Sequence, residues 1–433
     1  MNTSRIRWPL TAVALMLGLG ACGDLLTVPD PQRYTDEDLD NALDAVADGV
    51  EGALHEVVDS WVIYQALLGD EYQHTGTWSG YDETDHGRFQ YGTSAMDGIN
   101  NAWLRARWFA RASAERFERV LGAGEAASTD LMAQVHVSEG LVDLMIGMTF
   151  CESPADPTGD AVSAAQILTQ AVSKLDRGES TAMAAGETYY ATAARAGRAT
   201  ANHLLGNYAA AAADAASIPD GFSYDAIFNA QSRNSVVLLT TKTWNEAAGI
   251  QHGYWNRIAL SDDAGYMADW ATGAPDMRLP VYYDGEIATD NETGHRSQWK
   301  YDSETAPIPI LHSRGMRMIQ AEAAMFGGDF ASAMQIVNGL RASVNLQPLP
   351  VPTTIEEAGF LLLNERFAEH FMEGRRQIDL HRLGITKDIF DLLNDDERVG
   401  TNRPTQFPMS DTEALYNPNI VDDLAQRCLP RAG

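Results

Sequence analysis

The sequence predicts a mainly α-helical protein in which a loop-rich, aromatic-rich lobe is carried on a helical core. Three observations predict it: runs with apolar residues at three- and four-residue spacing, a glycine-aromatic turn that occurs twice between helices, and a stretch from 220 to 306 where the helical spacing fades.

The first helix starts at Thr35-Asp36-Glu37-Asp38, where a threonine and an acid three residues on can satisfy the free N–H groups of a helix start. Leu39, Leu43, Val46, Val50, Leu54 and Val57 then mark an amphipathic helix of about 22 residues. Further helices are predicted at Asn101–Leu121, Leu131–Phe150, Ala161–Leu175 and Thr188–Leu205, separated by Gly or Pro breaks.

Gly206-Asn207-Tyr208, followed by Ala211 and Ala215, joins two Ala-rich helices and stops at Pro219. Gly328-Asp329-Phe330, followed by Ala333 and Val337, repeats this after the helix of Met318 to Met325. An aromatic residue with small or apolar residues three and seven positions on is the spacing by which tetratricopeptide-like helix pairs nest together. Ordinary helical hairpins that share a glycine turn are the alternative reading. The predicted organisation is a discontinuous helical core at 35–219 and 307–385, and a loop-rich lobe at 220–306 and 386–433, with an insert at 70–91.

In the lobe, Trp244, Tyr254, Trp255, Tyr266, Trp270, Tyr282, Tyr283, Trp299 and Tyr301 crowd together among Gly, Pro and Asp, and the insert holds Trp78 and Tyr81. Loops on a rigid scaffold are where binding surfaces concentrate. A flat ring covers the C–H face of a sugar while flanking polar groups bond its hydroxyls. The candidate ligand residues are Trp78, Tyr81, Trp255, Tyr266, Trp270 and Tyr282, with Asp276 and Arg278 as polar partners. Burial within the lobe is the competing role for each of them.

The N-terminal residues address location. Arg5 and Arg7 precede an apolar stretch, Leu10 to Leu19, that is too short to span a bilayer as a helix, so 1–21 reads as an export signal. It ends in Leu19-Gly20-Ala21-Cys22, which resembles the bacterial lipobox and implies acylation of Cys22, with residues 22–34 as a proline-containing tether. Two or three acyl chains would hold the protein on a membrane. Gly23 is not the aspartate that retains lipoproteins at the inner membrane, so the outer membrane is expected. No later segment offers eighteen consecutive apolar residues, and the remainder is expected to be a water-soluble body.

Residues 1–21 carry two arginines and no acids; without them the chain has 29 basic against 60 acidic residues, a formal charge of −31. Phosphate binding requires clustered cations, which argues against nucleic acid as a partner. Of the three cysteines, Cys151 and Cys428 remain once Cys22 is acylated. In an oxidising compartment they are expected to pair, two buried free thiols being the alternative.

Near the C-terminus, Asn364-Glu365-Arg366-Phe367-Ala368-Glu369-His370-Phe371-Met372-Glu373-Gly374-Arg375-Arg376 followed by Gln377-Ile378-Asp379-Leu380-His381-Arg382-Leu383-Gly384 resembles the ER…E…EG-R…DL-R-G block of the SusD/RagB family. The lipobox and tether, the Pro307-to-His312 lead into Met318-Ile319-Gln320-Ala321-Glu322-Ala323, the Asn338-Gly339-Leu340-Arg341 helix end, and Phe407-Pro408 with Asn417-Pro418-Asn419 fall in that family's order. The aromatic-rich middle aligns with no pattern of the family. The resemblance implies a SusD-like fold and a surface lipoprotein that captures nutrient, glycans above all, for a SusC-like TonB-dependent outer-membrane transporter.

The charges of the Glu365 block, three and four apart on one helix, read as ion pairs that lock the helix to its neighbours and not as a catalytic acid cluster. There is no HExxH, GxSxG, phosphate-loop or EF-hand motif, and the ten histidines show no ligand spacing, so no metal, cofactor or catalytic residue is predicted. Three functions compete: a nutrient-binding lipoprotein of a transporter complex, an extracellular glycan-cleaving enzyme, and a helical-repeat scaffold of the envelope. The enzyme needs a carboxylate pair about 5–10 Å apart in a cleft. The scaffold predicts an apolar groove on the helices, and the binding protein predicts an aromatic platform in the loops.

Overall fold

The computed structural model describes residues 34–90, 92, 94–156, 159–240, 260–261, 265–291, 294–393, 403–420 and 427–428. The export signal, Cys22, the tether and Trp255 lie outside these residues. The chain forms two units, Met1–Ala45 and Val46–Gly433.

In the first unit, Thr35 caps helix α1 (Asp36–Asp40) and Asp38 returns the bond to the Thr35 backbone at 2.8 Å. The long first helix expected from the sequence is interrupted here. The Asn41 side chain donates to the Glu37 carbonyl at 2.9 Å and closes α1 after five residues. Helix α2 (Leu43–Leu68) then runs past the predicted end at Val57. Its second half, Trp61 to Leu68, is almost wholly buried, so it is apolar on all sides and loses the amphipathic period that marks its start.

Helices α3 (Ser79–Asp85), α4 (Ser94–Leu121), α5 (Ala123–Ala126) and α6 (Asp130–Thr149) follow. Thr129 accepts from the Met132 N–H and fixes the start of α6. Nearly all of α6 is buried, because α4 and helices α7 (Ala164–Ala185) and α8 (Thr188–Leu204) pack around it. A Cβ at Gly140 would meet Leu175 Cγ at 2.7 Å, and one at Gly147 would meet Leu168 Cγ at 2.7 Å; these glycines let α6 and α7 approach closely. The hairpin β1 (Glu152–Pro154) and β2 (Ala161–Ser163) lies between α6 and α7, where the sequence suggested helix from Ala161. Ser163 and Gln166 form a capping box that starts α7 instead. Beside β1, Cys151 is bonded to Cys428, with Cα atoms 5.2 Å apart.

The repeat-like pairs are present. Gly206, at φ +76°, turns α8 into α9 (Tyr208–Ala216), and Gly328, at φ +80°, turns α11 (Ser313–Phe326) into α12 (Phe330–Ala342). Ala211, Ala215, Ala333 and Val337 are all buried, as the spacing requires. The two pairs meet directly, since Tyr208 stacks on Phe326 with ring centroids 4.4 Å apart.

Between them, β3 (Ser223–Ala226) pairs antiparallel with β8 (Ile308–His312), and α10 (Ser235–Thr240) follows β3. Two further antiparallel pairs are β4 (Leu260–Ser261) with β5 (Tyr266–Met267), and β6 (Val281–Ile287) with β7 (Gly294–Gln298). The chain closes with α13 (Ile355–Glu369), α14 (Arg376–Arg382), α15 (Thr386–Leu393) and α16 (Asp411–Tyr416). Tyr224, Phe228, Leu279, Val281 and Tyr301 of the loop-rich stretch share one hydrophobic core with α2, α4, α6, α7 and α8. Among the described residues no helix is long and apolar enough to cross a membrane.

Candidate ligand-binding site

The charges of the Glu365 block form a buried frame. Arg341, fully buried, spans Asp269 at 2.9 Å and also bonds Glu365. Arg278 bonds Asp276 at 2.6 Å and reaches Glu365 and Glu369, each at 2.8 Å, while Arg314 holds Glu369 from the other side at 2.7 Å. Burial works against the charge on Arg278, but its bonds with Asp276 and the nearby Glu365 and Glu369 outweigh it and raise its pKa above the usual arginine range. Glu322 of α11 lies 3.0 Å from His203 of α8, whose charge burial disfavours, and pairs with Arg382, which also bonds Asp379, so α11 and α14 are joined through charge.

The same block fastens the insert. Arg376 forms a two-pronged pair with Asp70 at 2.6 and 2.8 Å, and the Met372 N–H donates to Glu71 at 3.0 Å. The turn that presents them needs Gly374 at φ +65°, where a Cβ would meet Trp61 Cζ3 at 2.6 Å.

From this base the insert carries rings outward. Tyr81, buried, packs on Tyr64 at 5.3 Å, and Trp78 stacks on Tyr81 at 5.4 Å with the planes 13° apart. Trp78 remains 53% exposed. The insert meets the tip of the β6–β7 hairpin, where the Asp290 N–H donates to the Thr75 carbonyl at 2.9 Å. On that hairpin Tyr282, Tyr283 and Trp299 are exposed. Tyr283 lies beneath the Arg296 guanidinium at 5.4 Å, and Trp299 packs on Tyr266 at 5.1 Å while its indole N–H donates to the Gly265 carbonyl at 2.6 Å.

The predicted ligand residues therefore divide. Trp78 and Tyr282 are exposed, Tyr266 is half-buried against Trp299, and Tyr81 supports Trp78 from beneath. The structure places the other three differently: Asp276 and Arg278 are locked in the buried frame, and the half-buried Trp270 donates its indole N–H to Glu365 at 3.0 Å. In an acidic loop the sequence places a Trp and an Arg-Asp pair near each other, but cannot show that two glutamates about ninety residues later accept hydrogen bonds from the Trp and the Arg. Trp299 and Tyr283 belong to the predicted aromatic crowd without being singled out.

One cluster bears on metal binding. His312, His370 and Glu373 place three donor atoms within 4.8 Å of one another. The Gly315 N–H donates to His312 Nδ1 at 3.2 Å, so the proton of that ring is on Nε2, which faces Glu373 at 2.8 Å. His370 Nδ1 lies 2.9 Å from the same carboxylate oxygen, and Lys300 donates to the other at 2.7 Å. In this arrangement both rings meet the Glu373 carboxylate, and the triangle is a hydrogen-bonded brace between the start of α11 and the end of α13. Burial lowers the His370 pKa to about 4. Burial opposes the charge on Glu373, yet His312 and Lys300 hold its pKa well below the usual carboxylate range.

No family model matches the sequence, and no curated protein matches it. Solved structures do. A SusD superfamily protein of Bacteroides vulgatus matches with a TM-score of 0.66 at 17% identity, over 88% of this chain and 97% of that one. A SusD-like protein of Bacteroides fragilis gives 0.64 at 13% identity, over 90% and 99%. A SusD-like carbohydrate binding protein of Bacteroides vulgatus gives 0.60 at 13% identity, over 79% and 83%. The molecule is thus a helical-repeat protein that displays aromatic loops, the fold class expected from the sequence. Its fold is that of the SusD superfamily, as the Glu365 block suggested.

Proposed function

We propose that this protein captures glycan on the surface formed by the 70–91 insert and the β6–β7 hairpin, and hands it unaltered to a SusC-like TonB-dependent transporter. The observation that carries this reading is Trp78, an indole stacked on a buried tyrosine and otherwise open to solvent, on an insert tied to the fold by the Asp70–Arg376 pair. The name of one structural neighbour as a carbohydrate binding protein supports the same ligand class. Binding without cleavage is supported by the state of the buried acids: Glu365, Glu369 and Asp276 each face a guanidinium rather than a cleft. Acylation of Cys22 and an outer-membrane location complete the proposal and rest on the Leu19-to-Cys22 motif.

The test is isothermal titration against a glycan panel, with product analysis of each bound ligand. Trp78→Ala and Tyr282→Ala should each weaken binding by roughly 2- to 12-fold, the value of about 0.5–1.5 kcal/mol for one ring. A ligand whose affinity neither substitution changes binds elsewhere, and a ligand recovered cleaved replaces the binding reading with an enzymatic one.

A further inference from the structure

A groove on the outer face of α4 shares no residue with the insert or the hairpin. Along α4 the buried stripe is Trp103, Ala106, Ala110, Ala114 and Phe117. Trp108 falls off that stripe and is 59% exposed, the most open tryptophan among the described residues. It stands in a groove of about 570 Å³, within the range of small-ligand pockets.

The walls come from three distant segments and are fixed in advance. The Arg107 guanidinium is held by Asp143 at 2.7 Å and Gln170 at 3.0 Å, and donates to the Pro154 carbonyl at 2.6 Å. Arg111 donates to the Ala155 carbonyl at 3.0 Å. These two bonds draw the end of β1 against the helix, while the Cys151–Cys428 bond secures the start of the same strand. The far side is Glu413 of α16, a helix held by Ser410 at its N-terminus and by the Arg427–Asp411 pair at 2.8 Å. A site whose walls are already ordered loses little entropy when a ligand enters.

The chemistry of the lining selects a ligand class. Arg107 is buried and its charge is met by Asp143, which leaves Arg105 and Arg111 facing Glu115, Asp156 and Glu413, charges of both signs in near balance in a chain of −29. A polyanion would meet three carboxylates and a polycation two guanidiniums, and a purely apolar ligand would strip water from both. A neutral polyol suits all of them, because each hydroxyl can accept from a guanidinium and donate to a carboxylate beside an exposed ring. We infer that the Trp108 groove is a second saccharide-binding site. The inference rests on the reading of the protein as a glycan binder, and places a further contact for the same class of ligand on the helical core.

The experiment is titration calorimetry of the full chain from Cys22 onward, with maltoheptaose, cellohexaose, xylohexaose and mannohexaose at millimolar concentration. It compares wild type with Trp108→Ala, Arg105→Gln and Trp78→Ala. Trp108 and Arg105 are exposed, and circular dichroism checks that each variant stays folded. The expected result is two saccharides per chain, with Trp108→Ala weakening one of them roughly tenfold, Arg105→Gln weakening the same one, and Trp78→Ala affecting the other. Binding that responds to Trp78→Ala and not to Trp108→Ala overturns the groove and leaves the proposed function standing. Binding that responds to Trp108→Ala alone upholds the groove and removes the loop surface. If no saccharide of the panel binds, the groove is not a saccharide site.

Discussion

Glu71 stands at the base of the insert, fully buried, with one carboxyl oxygen bonded to the Met372 N–H and the other without a hydrogen-bond partner among the described residues. Burial pushes its pKa up from 4.5 to about 8, the Met372 bond opposing this only in part. The folded-state pKa lies above the unfolded one, so the neutral acid contributes stability that is fully present below pH 4.5 and is lost as pH rises through 8. Glu71→Gln keeps the acceptor for Met372 and removes the ionisation. At about 1.4 kcal/mol per pKa unit, wild type should lose about 3 kcal/mol relative to Glu71→Gln between pH 4 and pH 7. Guanidinium unfolding of both proteins at the two pH values measures this difference. If the gap between them is the same at pH 4 and pH 7, the buried carboxyl is not neutral in the folded protein and the reasoning fails. A gap that widens on going to pH 7 supports it, and bears on ligand binding because Trp78 stands on this insert.

Two further predictions concern the frame and the anchor. Arg341→Met leaves Asp269 buried without its guanidinium and Glu365 with Arg278 alone, and should cost about 3–5 kcal/mol at pH 7. Although burial opposes its charge, Asp269 has its pKa lowered by Arg341, so the pair's contribution is present above the unfolded value of 3.8 and lost below it. The difference between variant and wild type in guanidinium unfolding should therefore shrink near pH 3; a pH-independent cost would point to packing alone. Cys22→Ser should abolish acyl labelling and move the protein from the membrane fraction to the soluble one, and labelling that persists in this variant would rule out the lipobox.

Much of the helical frame was legible in the sequence because its signals are local. A cap such as Thr129, a turn glycine such as Gly206 or Gly328, and small residues at Ala211 and Ala333 act within one or two turns of the chain. The Glu365 block was legible as ion pairing for the same reason, since its charges recur at helical spacing. The aromatic group could be seen as a group, yet its members could not be ranked. Tyr301 is 2% exposed and Trp299 is 40% exposed, and neither residue type nor neighbours in a loop without a period tells them apart. Trp108 is a different case: a helical projection of α4 puts it off the buried stripe, so its exposure could have been read from spacing.

The amino-acid sequence by itself determined the mainly helical class, the two glycine-turned helix pairs, the acidity and the identity of the charged helix. Only the tertiary structure decided which partner each charge takes: Asp70 for Arg376, Asp269 for Arg341, and Asp276 with Glu365 for Arg278. It also set His312 beside His370, 58 residues apart, with the Glu373 carboxylate against both rings. The physical reason is range. Capping, turn chemistry and helical period act between residues a few positions apart, whereas burial and charge pairing depend on which distant segments the packed core brings together.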